Sequence, residues 1–184
     1  MSTRSQIVVQ AEKDTPVKVS TEEITYGTGE RAYTSTIAKV EGAHPFCVYK
    51  HSDGYPTGVL PVLVPFAENF GKHRGHDPEY CIAQIIRAFA IAEFEHAMAW
   101  DAKEKEMVVD PSGYSLEYKK GITHAEGEKL RVTGWGVDSG IHGDIEYLYV
   151  VNSATGTVET YCDEGEGWNL IEPEYGPELY VDVA

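Results

Sequence analysis

The stretch Phe46-Cys47-Val48-Tyr49-Lys50-His51-Ser52-Asp53-Gly54-Tyr55-Pro56 decides how this chain folds. It opens with apolar, β-forming residues. It then gathers an imidazole, a carboxylate, a glycine and a phenol, and closes on a proline. That order describes a core strand running into a sharp corner, because glycine accepts positive φ and proline cannot continue a ladder. An apolar run follows at residues 59–66 and predicts a helix. Thr57 is its expected cap, Phe70 its expected last residue and Gly71 its expected stop. Pro61 is tolerable near the first turn, whereas Pro65 predicts a kink or a break.

Working outward, Asp77-Pro78-Glu79 supplies a capping carboxylate, a proline at the first position and an acid in the first turn. The helix it starts should run to about Trp100. Ile82, Ile85, Ile86, Phe89, Ile91 and Phe94 make it apolar on nearly every side, which predicts burial. Upstream, residues 5–10 read as a strand around Ile7-Val8-Val9. Residues 13–16 form a turn, and Val17-Lys18-Val19 a returning strand. Residues 20–42 are polar and rich in Thr, Ser and Gly, fitting a hairpin or a variable insertion. Downstream, residues 101–106 are a charged exit and 108–131 are irregular, with a turn at Pro111-Ser112-Gly113. Residues 130–133 suggest a strand. Residues 144–151 and 157–162 form the clearest hairpin, with Ile145, Tyr147, Tyr149 and Val151 on one face and turn chemistry at 152–156. The acidic tail, 163–184, carries Trp168, Leu170, Ile171, Leu179 and Tyr180 to dock it on the body. The expectation is one α+β domain over residues 1–184. A mainly antiparallel sheet, built from the first strand, the Phe46 strand and the C-terminal hairpin, packs against one long buried helix and a second, Pro-kinked helix.

Composition excludes several classes. The chain has 184 residues, of which 42 % are hydrophobic, enough for a real core. No apolar run reaches the ~20 residues of a membrane span. The first six residues lack the apolar core of a signal peptide, so the expectation is a cytoplasmic protein. Cys47, Cys81 and Cys162 show neither zinc spacing nor a disulfide framework and read as buried thiols. The formal charge is −15, and from Val132 to Ala184 there are 11 acids and no Lys or Arg. That balance disfavours general nucleic-acid binding and anionic membranes, and suits a basic protein partner or solubility alone.

The candidate chemistry sits in a few patches. His51 and Asp53 are two apart, so on a continuing strand they share a face. An imidazole beside a carboxylate suits a general base with its orienting partner, or two metal ligands. The same residues also suit a structural corner, with Asp53 bonding nearby amides and Tyr55 and Pro56 packing the edge. His142-Gly143-Asp144 repeats the spacing. Four such ligands would suit a divalent ion completed by water. Chance produces the same pattern in a chain with 7 histidines and 30 acids. Arg4 could hold a phosphate or carboxylate bidentately, or pair with one of many acids. Ser2 would become an N-terminal nucleophile if Met1 were removed. Lys72-His73-Arg74-Gly75-His76 is the one compact basic cluster, before a capped helix, and suits an anion or a solvated loop. His96 reads as a core-edge residue, and His44 and His124 carry no signal. No phosphate-binding loop, Gly-x-Ser-x-Gly elbow or His-Glu-x-x-His motif occurs.

Three patches, Ser2-Thr3-Arg4, His51-x-Asp53-Gly54-Tyr55-Pro56 and Gly143-Asp144-Ile145-Glu146-Tyr147-x-Tyr149, together resemble a group of small phage and bacterial proteins. These begin with a Ser- or Gly-Thr-Arg strand, carry a His-x-Asp-Gly-Tyr-Pro turn and close with an acidic-aromatic strand. The resemblance implies a phage origin and supplies no catalytic assignment or cofactor.

The leading expectation is a phage-type accessory binding protein. It would engage a host protein, for example as a host-defence inhibitor, or capture a small ligand such as a nucleotide-like signal. Arg4, Tyr55, His142 and Asp144 are the candidate ligand-binding residues, and His51 and Asp53 the candidate catalytic pair. One alternative is a hydrolase, metal-dependent or not, using His51, Asp53, His142 and Asp144. Another is an acidic DNA mimic that blocks a DNA-binding enzyme. The geometric expectation is that Arg4, His51, Asp53, Tyr55, His142 and Asp144 line one pocket at the end of the sheet.

Overall fold

Ser5-Gln6-Ile7-Val8-Val9 forms the first strand, β1 (Ser5–Val9), and all five residues are buried. A strand buried on both faces belongs inside a sheet that is covered on each side. The computed structural model, which describes residues 3–106, 134–163, 165 and 167–173, has that arrangement. Next come β2 (Lys18–Tyr26), β3 (Tyr33–Glu41) and β4 (Cys47–Lys50). Two helices follow, α1 (Pro56–His73) and α2 (Pro78–Glu106). The chain then gives β5 (Trp135–Asp138), β6 (Tyr147–Asn152), β7 (Thr157–Asp163) and β8 (Trp168–Ile171).

Six strands make one sheet in the order β5-β4-β1-β6-β7-β8. The sheet is mainly antiparallel, as expected, but β1 and β6 run parallel, from Ser5↔Tyr147 to Val9↔Val151. A parallel pair needs a long crossover, and the helices lie within that connection. The polar stretch 20–42 does hold a hairpin: β2 and β3 pair from Lys18↔Glu41 to Tyr26↔Tyr33. The returning strand at 17–19 is the start of β2 and pairs with β3, not with the first strand.

The molecule has three layers. On one face of the sheet, Ile7, Val9, Val48, Tyr149 and Val151 pack against α1 and α2 through Val59, Leu60, Leu63, Ile82, Ile85 and Phe89. On the other face, Val8, Cys47, Leu148 and Val150 pack with Ala38 of the hairpin and Trp168. Burying side chains of this size contributes about 1.5–3 kcal/mol each.

Several expectations need correction. Tyr55, not Thr57, caps α1, and Pro56 takes the first helical position, where its missing N–H costs nothing. The break that Pro65 could have made does not occur, since α1 continues across Pro61 and Pro65 with Val59, Leu60, Leu63, Ala67 and Phe70 buried. It ends at His73, and Gly75, at φ 69°, is the left-handed residue beyond the cap. Gly71 is small for a different reason: a Cβ there would lie 3.0 Å from the Gly156 nitrogen in the β6–β7 turn. α2 is capped as expected, with Asp77 Oδ1 accepting from the Tyr80 N–H at 3.3 Å. It extends to Glu106, and it buries one side only: Ile91 and Met98 are 39 % and 52 % exposed. β6 begins at Tyr147, so Ile145 precedes the alternation and packs on the hairpin side with Leu148 and Val150. The tail docks through Trp168 in β8. The segment 108–131, the strand at 130–133, Leu179, Tyr180 and Ser2 lie outside the described residues.

Candidate functional site

A buried amide organises the site. Gln6 lies on β1, facing the hairpin layer, and is fully buried. A buried amide must find partners or lose its hydration uncompensated. Its Nε2 donates to the Gly140 carbonyl at 2.8 Å and to Cys47 Sγ at 3.2 Å. Its Oε1 accepts from the His142 backbone N–H at 2.8 Å. One side chain thus pins the loop 139–146 by its backbone. A Cβ on Gly143 would lie 3.0 Å from Ile37 and 3.5 Å from the Tyr26 hydroxyl, so the loop also runs close against the hairpin.

The pinned loop presents His142. Its ring stacks on Tyr49 of β4, with centroids 4.6 Å apart and planes at 27°. Its Nε2 bonds Asp138 Oδ2 at the end of β5, and its Nδ1 lies 3.8 Å from Asp144 Oδ1. Asp144 in turn accepts from Arg4 Nη1 at 2.7 Å. The Arg4 carbonyl accepts from the N–H of Glu146 at 2.9 Å, holding the start of the chain to the same loop. Tyr49 also reaches His51, its hydroxyl 3.5 Å from Nδ1. The hydrogen bond with His142 holds the Asp138 carboxyl below its usual range. Burial, then the Asp144 carboxylate, pushes the Tyr49 phenol up.

Arg4, His51, His142 and Asp144 therefore come together on one surface, joined by Tyr49. Asp53 and Tyr55 do not join them. β4 ends at Lys50, so the period-two alternation that would align His51 with Asp53 has stopped. Asp53 sits at φ 54°, and Tyr55 is the cap of α1 and 41 % exposed. Asp53-Gly54 is a structural corner. The Gly54 N–H donates to the Thr3 carbonyl at 2.9 Å, and its carbonyl accepts from the buried Tyr149 hydroxyl at 2.8 Å. A Cβ on Gly54 would fall 2.7 Å from Ser5 Oγ, so only glycine fits over β1 there.

No family model, curated protein or solved structure matches this chain. Function has to be read from the residues themselves. Among the described residues, no group of three or more His, Cys, Asp or Glu side chains is placed to hold a metal ion. Both ring nitrogens of His142 face carboxylates, so neither is directed at a hydroxyl or thiol nucleophile. The arrangement can hold charge and present aromatic rings. The basic loop is also committed internally: Arg74 pairs with Asp77 at 2.9 Å, and His76 is held by the Ala11 carbonyl and Ser153. Among the described residues, no helix is long and apolar enough to cross a membrane.

Sequence reasoning missed Gln6, Asp138 and Lys50. Lys50 is buried on the helix side of β4, 4.0 Å from the Trp135 ring centroid and 3.6 Å from Glu93 Oε1. Trp135 Nε1 donates to the same Glu93 oxygen at 2.8 Å. A lysine within a motif otherwise read for its histidine gave no sign of this. Gln6 did carry a signal, being a lone amide in an apolar strand.

Proposed function

We propose that this chain is a phage-type accessory binding protein of the cytoplasm that engages a host protein through the surface built on Arg4, Tyr49, His51, His142 and Asp144. The observation that carries the reading is the convergence of three patches, distant in sequence, on the Tyr49 ring. Tyrosine and arginine are the residue types that dominate protein interfaces. The Tyr26–Tyr33 stack, with centroids 5.3 Å apart and the two rings 38 % and 64 % exposed, extends the aromatic surface from the hairpin. The Tyr26 hydroxyl adjoins Gly143, which links the two parts. The formal charge of −15 favours a partner with a basic face.

The carboxylates toward which both ring nitrogens of His142 are directed weigh against hydrolysis there. The test is a pulldown from host lysate with wild type and Tyr49→Ala side by side. A stoichiometric partner held by wild type and lost from Tyr49→Ala supports the reading. No retained partner, or equal retention by both, contradicts it.

A further inference from the structure

A second feature lies on the hairpin side of the sheet, the face onto which Tyr49 also packs. A cavity of about 240 Å³ opens between β1, β3, the 42–46 loop and the first half of the 139–146 loop. Val8, Val40, Ala43, Pro45 and Ile141 give it an apolar lining. Three polar side chains, His44, Cys47 and Ser139, also line it. Polar and apolar atoms share its surface about equally, and a concavity with a few convergent polar groups is a form that small-ligand sites take.

The lining also defines the ligand's charge. Among the described residues it contains no Lys or Arg. His44 Nδ1 accepts from the Phe46 N–H at 3.2 Å, so Nε2 carries its proton, and that nitrogen lies 3.5 Å from Glu79 Oε1. Asp138 stands next to Ser139 and accepts from its N–H at 2.7 Å. Burial pushes the Cys47 thiol up to about 11, so the floor is uncharged at neutral pH. A phosphate would find no Lys or Arg among the described lining residues and two carboxylates at its edges. The volume falls just short of the ~300–1,000 Å³ of drug-sized sites, so a whole nucleotide does not fit.

We propose that this cavity binds a small amphipathic molecule with a neutral or cationic polar head, its apolar part against Val8, Val40 and Ile141 and its head toward Ser139 and His44. The site adjoins the partner surface, and one loop, pinned by Gln6, serves both.

The test is a two-dimensional amide NMR titration of the full chain with three matched probes at millimolar concentration: phenethylamine, 2-phenylethanol and phenylacetate. Phenethylamine and 2-phenylethanol should shift the amides of residues 40–47 and 139–141 saturably, with Kd of about 1 mM for molecules of this size. Phenylacetate should bind at least about fivefold more weakly, which is about 1 kcal/mol. Ala43→Phe, which fills the cavity, should abolish these shifts. Ile141→Phe is the second variant should the first not fold. Absence of saturable shifts, shifts centred elsewhere, equal or stronger phenylacetate binding, or full binding by a folded filling variant would each overturn the proposal.

Discussion

Gln6 and Ser5 are neighbours on β1 and face opposite layers with opposite fortunes. Gln6 satisfies itself and the loop backbone, whereas the buried Ser5 Oγ has no hydrogen-bond partner among the described residues. Gln6→Leu should therefore cost about 2 kcal/mol, because it strands the His142 N–H and leaves the Gly140 carbonyl only the weak Cys47 thiol donor. It should also speed amide exchange across residues 139–146. Urea denaturation and hydrogen exchange check both, and unchanged stability would contradict the pinning role. Ser5→Ala should be neutral or stabilising by about 1 kcal/mol in the same assay. Asp138 supplies the pH dependence. Its folded pKa is depressed, mainly by the His142 hydrogen bond. Its contribution to stability is thus present above the ordinary carboxylate value, and is lost as pH falls through the depressed folded value. His142→Ala should return the Asp138 midpoint toward about 3.9 in a carbon-detected carboxyl titration. An unmoved midpoint would rule out the pairing as its cause. Asp138 was not legible in the sequence, because its partner is chosen by how the loop is pinned and not by local spacing.

At the scale of elements, the α2 cap and the β6–β7 hairpin were legible, whereas the ends of α1 and the contacts between elements were not. Asp77 caps α2 as its sequence context demands, and the β6–β7 hairpin forms from its alternation and turn residues. The β1–β6 parallel pair joins residues 142 positions apart and leaves no local trace. Gly71 was misread because a glycine near a helix end suits both a stop and a close approach. Its neighbour Gly156, at φ 74°, would bring a Cβ within 2.8 Å of the Ala67 carbonyl oxygen. Gly156→Ala should therefore cost about 3 kcal/mol by combining backbone strain with overpacking. Thermal denaturation measures this, and a loss below about 1 kcal/mol would mean that the turn does not seat on α1. Lys50 and Glu93 join α2 to β4 by an ion pair. Glu93 is a third exposed, so the pair is worth less than a fully buried one.

The molecule as a whole is a sheet covered on one side by helices and on the other by a hairpin. That α+β outline was legible because strand alternation and helix capping are local signals. The candidate site was legible only in part. Arg4, His51, His142 and Asp144 meet, whereas Asp53 and Tyr55 belong to the corner that seats α1 over β1. The motif that first suggested catalysis is thus split between a scaffold and a surface. The surface has Tyr49 at its centre, and that role identifies the most direct test. A photo-crosslinking phenylalanine analogue placed at residue 49 should, in host lysate under native conditions, give one adduct of discrete mass. The same analogue at Ile91, on the exposed side of α2, should give none. No adduct from residue 49, or the same adduct from both positions, would contradict the account.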